Sequence, residues 1–307
     1  MRICSLLPSA TEIVCALGLR DQLVAVSHEC DFPPEVRAKP VMTASRIDAG
    51  GLTAAEIDAR VAAQLHDHTG IYALDEAMLA RLDPDLILTQ ELCDVCAVSY
   101  EQVQEAVRAL RTERTLLSLE PETVAGVLAT VRAVGDAAGC PDRAEALAAR
   151  LEGEIAAIAA RRAPNAARPR VACLEWLDPP FIGGHWLPEM VDLAGGVDVL
   201  GAAGSRSRRV DWPEVLDAKA EVYVLMPCGF DVQRTIDEYR RTPFPEGWQQ
   251  QAAVRSGNVF AADANAYFSR PGPRIVRGIE ILAEILEAAS SGAPSGEGWQ
   301  RVPGGRD

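Results

Sequence analysis

The sequence contains no run of eighteen apolar residues, so no segment of it reads as a membrane-spanning helix. It has no surplus of positive charge. Thirty Lys and Arg stand against 44 Asp and Glu for a net charge of −14, leaving no excess of cations to replace counterions along a phosphate backbone, and nucleic-acid binding is excluded. Eight cysteines in 307 residues fall far short of a disulfide scaffold, and Cys4, Cys15 and Cys173 sit inside apolar runs, where a thiol is a small buried side chain. There is no G-x-x-x-x-G-K-[ST], no G-x-G-x-x-G after a strand, no G-x-S-x-G elbow and no H-E-x-x-H. Phosphate-loop, dinucleotide, esterase and zinc-protease chemistry therefore lack their signatures, and no catalyst is apparent. The first strand candidate begins at Arg2, with no room before it for a charged segment, an apolar core and a cleavage site, so the expected location is the cytoplasm.

What is present is a chain long enough for two domains, with 48% hydrophobic and 24% charged residues. Short apolar runs alternate with helical ones from the start. The strand candidates are RICSLL (2–7), QLVAVS (22–27), DLILTQ (85–90) and RTLLSL (114–119), then RVACLEW (170–176), AEVYVLM (220–226) and NVFAAD (258–263). Ser9 and Glu12 have capping-box spacing, and Gly18 is placed to end the first helix. Alternation of this kind predicts α/β architecture: two Rossmann-like parallel-sheet lobes, at 1–120 and 164–290. The Ala-rich run 121–163 reads as one long rigid helix joining them, with GCP (139–141) the place where it would break, and a ligand cleft is expected between the lobes. The tail 291–307 has linker composition and is expected to be disordered.

In parallel sheets, ligands gather beyond the carboxyl ends of the strands, where loops converge and helix N-termini offer unpaired N–H groups. Scarce residue types fall at these ends: PSAT after the first strand, HECDFPP after the second, ELCDVC after DLILTQ, LDPPFIGGHW after RVACLEW, PCGFD after AEVYVLM and ANAYFSRPGPR after NVFAAD. Ser9, Glu29, Glu91, Trp176, Trp186 and Phe268 are the binding candidates from these loops. The aromatic-rich second half fits a mostly apolar pocket for a sizeable ligand.

RICSLLPSATEIVCALG, VAVSHECDFPPEV, LDPDLIL, WLDPPFIGG, MVDLAGGVDVLG, VDWPEVL and YFSRPGPRIVRGIEILAEIL follow one another in an order that resembles the substrate-binding proteins for vitamin B12 and iron chelates. The resemblance spans about residues 2–288. It implies two lobes bridged by a helix, a cobalamin, related corrinoid or other tetrapyrrole as ligand, no enzymatic activity, a monomer without membrane insertion, and delivery to an ABC importer. By the same resemblance Phe181 would face the ligand and Arg270 would hydrogen-bond its periphery, helped by Asp263 or Asn265. Relatives that bind B12 carry an aromatic residue after the strand that here ends at Gln90, whereas this chain has QELCDVC.

Three thiols and an imidazole, Cys30, Cys93, Cys96 and His28, form a possible ligand set for tetrahedral zinc or another soft ion. The same donors could reach the metal of a bound corrinoid, Cys93 and Cys96 could form a redox couple, or they could simply pack. A metal-handling or thiol-dependent enzyme that reuses the fold is therefore the alternative function. His66 and His68, two residues apart, share no helix face and read as solvent-exposed.

Overall fold

Each of the seven apolar runs becomes a strand in the computed structural model, which describes residues 1–66, 71–90, 103, 104, 106, 107, 114–161 and 167–303. The chain divides into two compact units, one of 1–52, 56–121 and 125–151, the other of 53–55, 122–124 and 152–307.

The first unit holds β1 (Ile3–Ser5), α1 (Pro8–Ala16), β2 (Leu23–Val26), β3 (Thr43–Ser45), β4 (Tyr72–Leu74), α2 (Glu76–Leu82), β5 (Leu86–Thr89) and β6 (Thr115–Ser118). Strands β2, β1, β5 and β6 form one parallel sheet in that order, and β3 pairs antiparallel with β4. Every residue of β1 and β5 is buried, as in a sheet covered on both faces, which is why these strands read as unbroken apolar runs rather than alternating ones. Cys4, Ala25 and Ile87 share a core cluster with Leu79 of α2 and with Val103 and Ala106, three residues apart and so on one helical face.

The capping box does not form. Pro8 takes the first helical position, where its fixed φ suits the helix and its missing N–H costs nothing, so Leu7 is the N-cap and Ser9 lies inside the first turn, 3% exposed. Gly18, with φ +72°, follows the helix as expected.

The single joining helix is also corrected. Residues 121–163 contain two helices, α3 (Val124–Ala137) and α4 (Pro141–Ala160). Gly139 adopts φ +70°, a conformation cheap only for glycine, and Pro141 cannot donate the N–H that continuation would need. After the break α4 returns against α3: a Cβ on Gly135 would stand 2.1 Å from Cβ of Ala144, and Arg132 pairs with Glu145 at 2.7 Å. Residues 125–151 of this segment group with the first unit.

The second unit is built on β7 (Arg170–Leu177), β8 (Pro180–Ile182), β9 (Val197–Asp198), β10 (Arg208–Arg209), β11 (Val222–Leu225) and β12 (Val259–Ala262). β7, β11 and β12 run parallel at its centre, β8 and β10 add antiparallel on one side, and β9 pairs with the start of β7. Trp248, fully buried, centres the core among Tyr223, Tyr239, Phe244 and Trp212 and lies nearly parallel to Phe244, with ring centroids 4.4 Å apart.

Residues 291–303 are ordered, against expectation. β13 (Ser295–Gly296) and β14 (Trp299–Arg301) form a hairpin whose second strand pairs antiparallel with β12. The anchor is Trp299, 4% exposed, which meets Phe260 edge-on at 5.7 Å and donates from Nε1 to Glu284 at 2.8 Å. One buried aromatic outweighs the Gly, Ser and Pro around it. Among the described residues no helix is long and apolar enough to cross a membrane.

Candidate functional site

The second unit gathers aromatic and cationic side chains at the carboxyl ends of β7 and β11. A bulge at Glu175 shifts the β7–β8 register, so that Leu174 faces Ile182 while Trp176 faces Phe181. Leu174, Leu177 and Ile182 stay on the core side. Trp176 and Phe181, directly paired, share the other face, and both remain half-buried. Beyond Trp176 lies Phe230, in the loop after β11, with centroids 5.3 Å apart in an edge contact. The Arg234 guanidinium covers the Phe230 ring at 3.9 Å, which leaves Phe230 only 3% exposed. Trp176 Nε1 donates to the carbonyl of Ala54, a residue grouped with this unit, at 3.2 Å, fixing the indole plane.

The loop after β12 supplies the polar part. The Asp263 side chain accepts from Ala266 N–H at 2.8 Å, Asn265 N–H donates to the Phe230 carbonyl at 3.2 Å, and Arg270 Nη2 donates to Asn265 Oδ1 at 2.8 Å. Burial raises the Asp263 pKa and the Asp231 charge adds to this, while the hydrogen bond from Ala266 N–H and the charges of Arg274 and Arg270 oppose it. Asn265 thus connects the ring cluster to Arg270. Two other candidates are committed elsewhere: Trp186 Nε1 donates to the Phe268 carbonyl at 3.1 Å, and the Phe268 side chain, 3% exposed, is part of the interior.

The first-unit candidates occupy a different environment. Ser9 is buried in α1. Cys30 is buried with its Sγ 3.0 Å from Thr11 Oγ1, and Thr11 donates to Ser5 Oγ at 2.8 Å. His28 is exposed at its edge, with Nδ1 2.7 Å from Thr43 Oγ1 and its ring 5.2 Å from that of Tyr72. Desolvation lowers the His28 pKa, partly offset by the Glu29 charge. Glu29 accepts a hydrogen bond from the Tyr72 hydroxyl at 3.1 Å. Glu91, Cys93 and Cys96 lie outside the described residues, and among those described no three His, Cys, Asp or Glu side chains are placed to hold a metal ion. Of the four donors that the spacing suggested, the Cys30 thiol meets Thr11 and the His28 ring meets Thr43, and the other two lie outside the described residues.

Sequence reasoning did not single out Phe230, Arg234 or Tyr72. Phe230 stood in a loop already marked as a strand end, PCGFD, so position could have found it. Arg234 required knowing that a helix, α5 (Val232–Arg241), starts at once and brings residue 234 back over residue 230.

Comparison with known proteins covers nearly the whole chain. The family described as Periplasmic binding protein matches residues 3–266. The vitamin B12-binding protein of Vibrio cholerae serotype O1 is 25% identical over 292 residues, covering 94% of this chain and 90% of the relative. That of Pectobacterium carotovorum subsp. carotovorum is 26% identical over 298 residues, covering 96% and 91%. Among solved structures, the periplasmic vitamin B12-binding protein of Vibrio cholerae superposes with a TM-score of 0.68 at 22% identity, covering 94% of this chain and 97% of that one. The periplasmic haem-binding protein of Roseiflexus sp. RS-1 gives 0.69 at 24%, covering 94% and 98%. At these identities the structural matches establish the fold.

Proposed function

The chain belongs to the periplasmic binding protein family, whose members bind solutes and are not enzymes, and from that premise we propose that it binds cobalamin or a related corrinoid or tetrapyrrole for delivery to an ABC importer. The observation that carries this reading is the half-exposed pair Trp176–Phe181, aligned across two strands and backed by Phe230. A large planar ring system gains most from flat apolar faces held rigidly, because little side-chain entropy remains to be lost on binding. Arg270, Asn265 and Asp263 supply donors and acceptors for amide or carboxylate arms. The B12-binding relatives support a corrinoid as the first ligand to test. A zinc-handling role draws no support from the described residues.

Calorimetric and absorbance titrations with cyanocobalamin, dicyanocobinamide and haemin test the reading. Saturable binding of at least one ring with a one-to-one endpoint is expected. Absence of heat and of spectral change with all three at tens of micromolar protein would end it.

A further inference from the structure

The row of rings on the β7–β8 face ends in an exposed guanidinium on its β10 side. β10 pairs antiparallel with β8 so that Arg209 stands directly opposite Phe181 and Arg208 opposite Ile182. Directly paired residues share a face, so Arg209 continues the line Trp176–Phe181 outward, while Arg208 lies on the Ile182 side. The two arginines differ in what they meet. Arg208 forms an ion pair with Glu214. Arg209 is exposed, and among the described residues no hydrogen bond or ion pair to its guanidinium is found. On the far side of Trp176, the Arg234 guanidinium stands over the buried Phe230 ring, 3.9 Å from its centroid. Across β10, β8 and β7 the face reads Arg209, Phe181, Trp176, with the buried Phe230 behind Trp176, so that two half-buried rings end in one exposed positive charge in a protein whose net charge is −14.

Neutral amide arms do not require cationic ends. Carboxylates do, because a guanidinium meets a carboxylate with two parallel charge-assisted hydrogen bonds, and a neighbouring ring orients it by stacking. The geometry points to a ligand that is planar and carboxylated at its edge, with Arg209 as the residue that selects for the carboxylate. This rests on the tetrapyrrole reading above and narrows it: among rings of similar shape, those bearing free carboxylates bind in preference to their amidated counterparts.

Two probes share a ring and differ at the edge: dicyanocobyrinic acid, with free carboxylates, and dicyanocobinamide, in which they are amidated. Wild-type protein is expected to bind the acid more tightly. Arg209→Ala is expected to weaken the acid about tenfold or more, the scale of one charged hydrogen bond, and to leave cobinamide within about twofold. Arg209→Lys should recover part of the loss. The exposed position makes unfolding an improbable confounder, and an unchanged melting temperature verifies this. Equal affinity of wild-type protein for both probes, or equal loss of both in Arg209→Ala, overturns the selectivity while leaving ring binding standing. Failure of both probes and of haemin to bind wild-type protein removes the tetrapyrrole reading and this inference with it.

Discussion

The two units finish their parallel strands in different chemistry. In the first, hydroxyls and a thiol bond to one another: Thr11 links Ser5 to Cys30, and Thr43 links Ser27 to His28. In the second, rings meet rings. All five tryptophans and five of six phenylalanines lie after residue 170. A closed hydrogen-bond chain satisfies its own groups and offers little to a ligand, whereas a half-covered ring still has apolar area to lose from water. Under the proposed function, ligand stacking falls to the second unit, while the polar groups at the strand ends of the first bond to one another.

The sharpest way to break the contrast is through Trp248, around which the second core is packed. Trp248→Ala should cost about 3–5 kcal/mol, read as a lower midpoint in urea denaturation, because four rings lose a common partner and the site cannot collapse around so large a void. Next in size is the ring surface itself. Phe181→Ala removes a half-exposed face without opening the core, so the melting temperature should hold while the dissociation constant for the bound ring rises about tenfold or more, as expected for the loss of one aromatic contact. A fall in stability instead of affinity would place Phe181 with the core rather than the ligand.

How far such assignments could be read from the chain follows from what each depends on. Strand positions depend on local apolar runs, and the seven long ones were legible, whereas the short strands β3, β4, β8, β9 and β10 were not; residues 139–141, where Gly and Pro act within one turn, were legible as the place where the joining helix would break. The first helix was started one residue late because a proline preference competes with a serine cap, and spacing alone does not decide between them. The ordered tail was missed because its order comes from Trp299 reaching Phe260 and Glu284, contacts invisible to composition. Within the candidate site, Trp176 was named from its strand-end position, while Phe181, Asn265 and Arg270 were named by the family resemblance. Phe268 was not separable from them, since burial of one aromatic and exposure of its neighbour is settled by tertiary packing. Arg209 depends on the register of β10 against β8, which the sequence does not print.

A smaller effect tests the hydrogen-bond chain of the first unit. Thr11→Val keeps the shape of the side chain but removes the hydroxyl between Ser5 Oγ and Cys30 Sγ. A loss of about 1–2 kcal/mol in denaturation is expected from one buried hydrogen bond and one stranded partner. Ring affinity should not change, because the hydroxyl serves the interior.

The smallest effect concerns His28 and has a definite sign. Desolvation favours the neutral imidazole, so its folded-state pKa lies below the ordinary value of 6.5 that the unfolded chain has, and Glu29 limits the shift. The unfolded state therefore binds the proton first. The stabilising contribution of neutral His28 is complete above the unfolded pKa and is lost as pH falls through 6.5 toward the folded value. A proton NMR titration of the ring should give a midpoint below 6.5, and Glu29→Gln should move it lower still, since the substitution removes the charge that favours imidazolium. Stability measured at pH 7.5 and at pH 5.5 should fall less in His28→Asn than in the wild type. A midpoint at or above 6.5 would mean that the Glu29 charge outweighs desolvation, and would turn this strand end from a closed polar chain into a charged one able to meet a ligand.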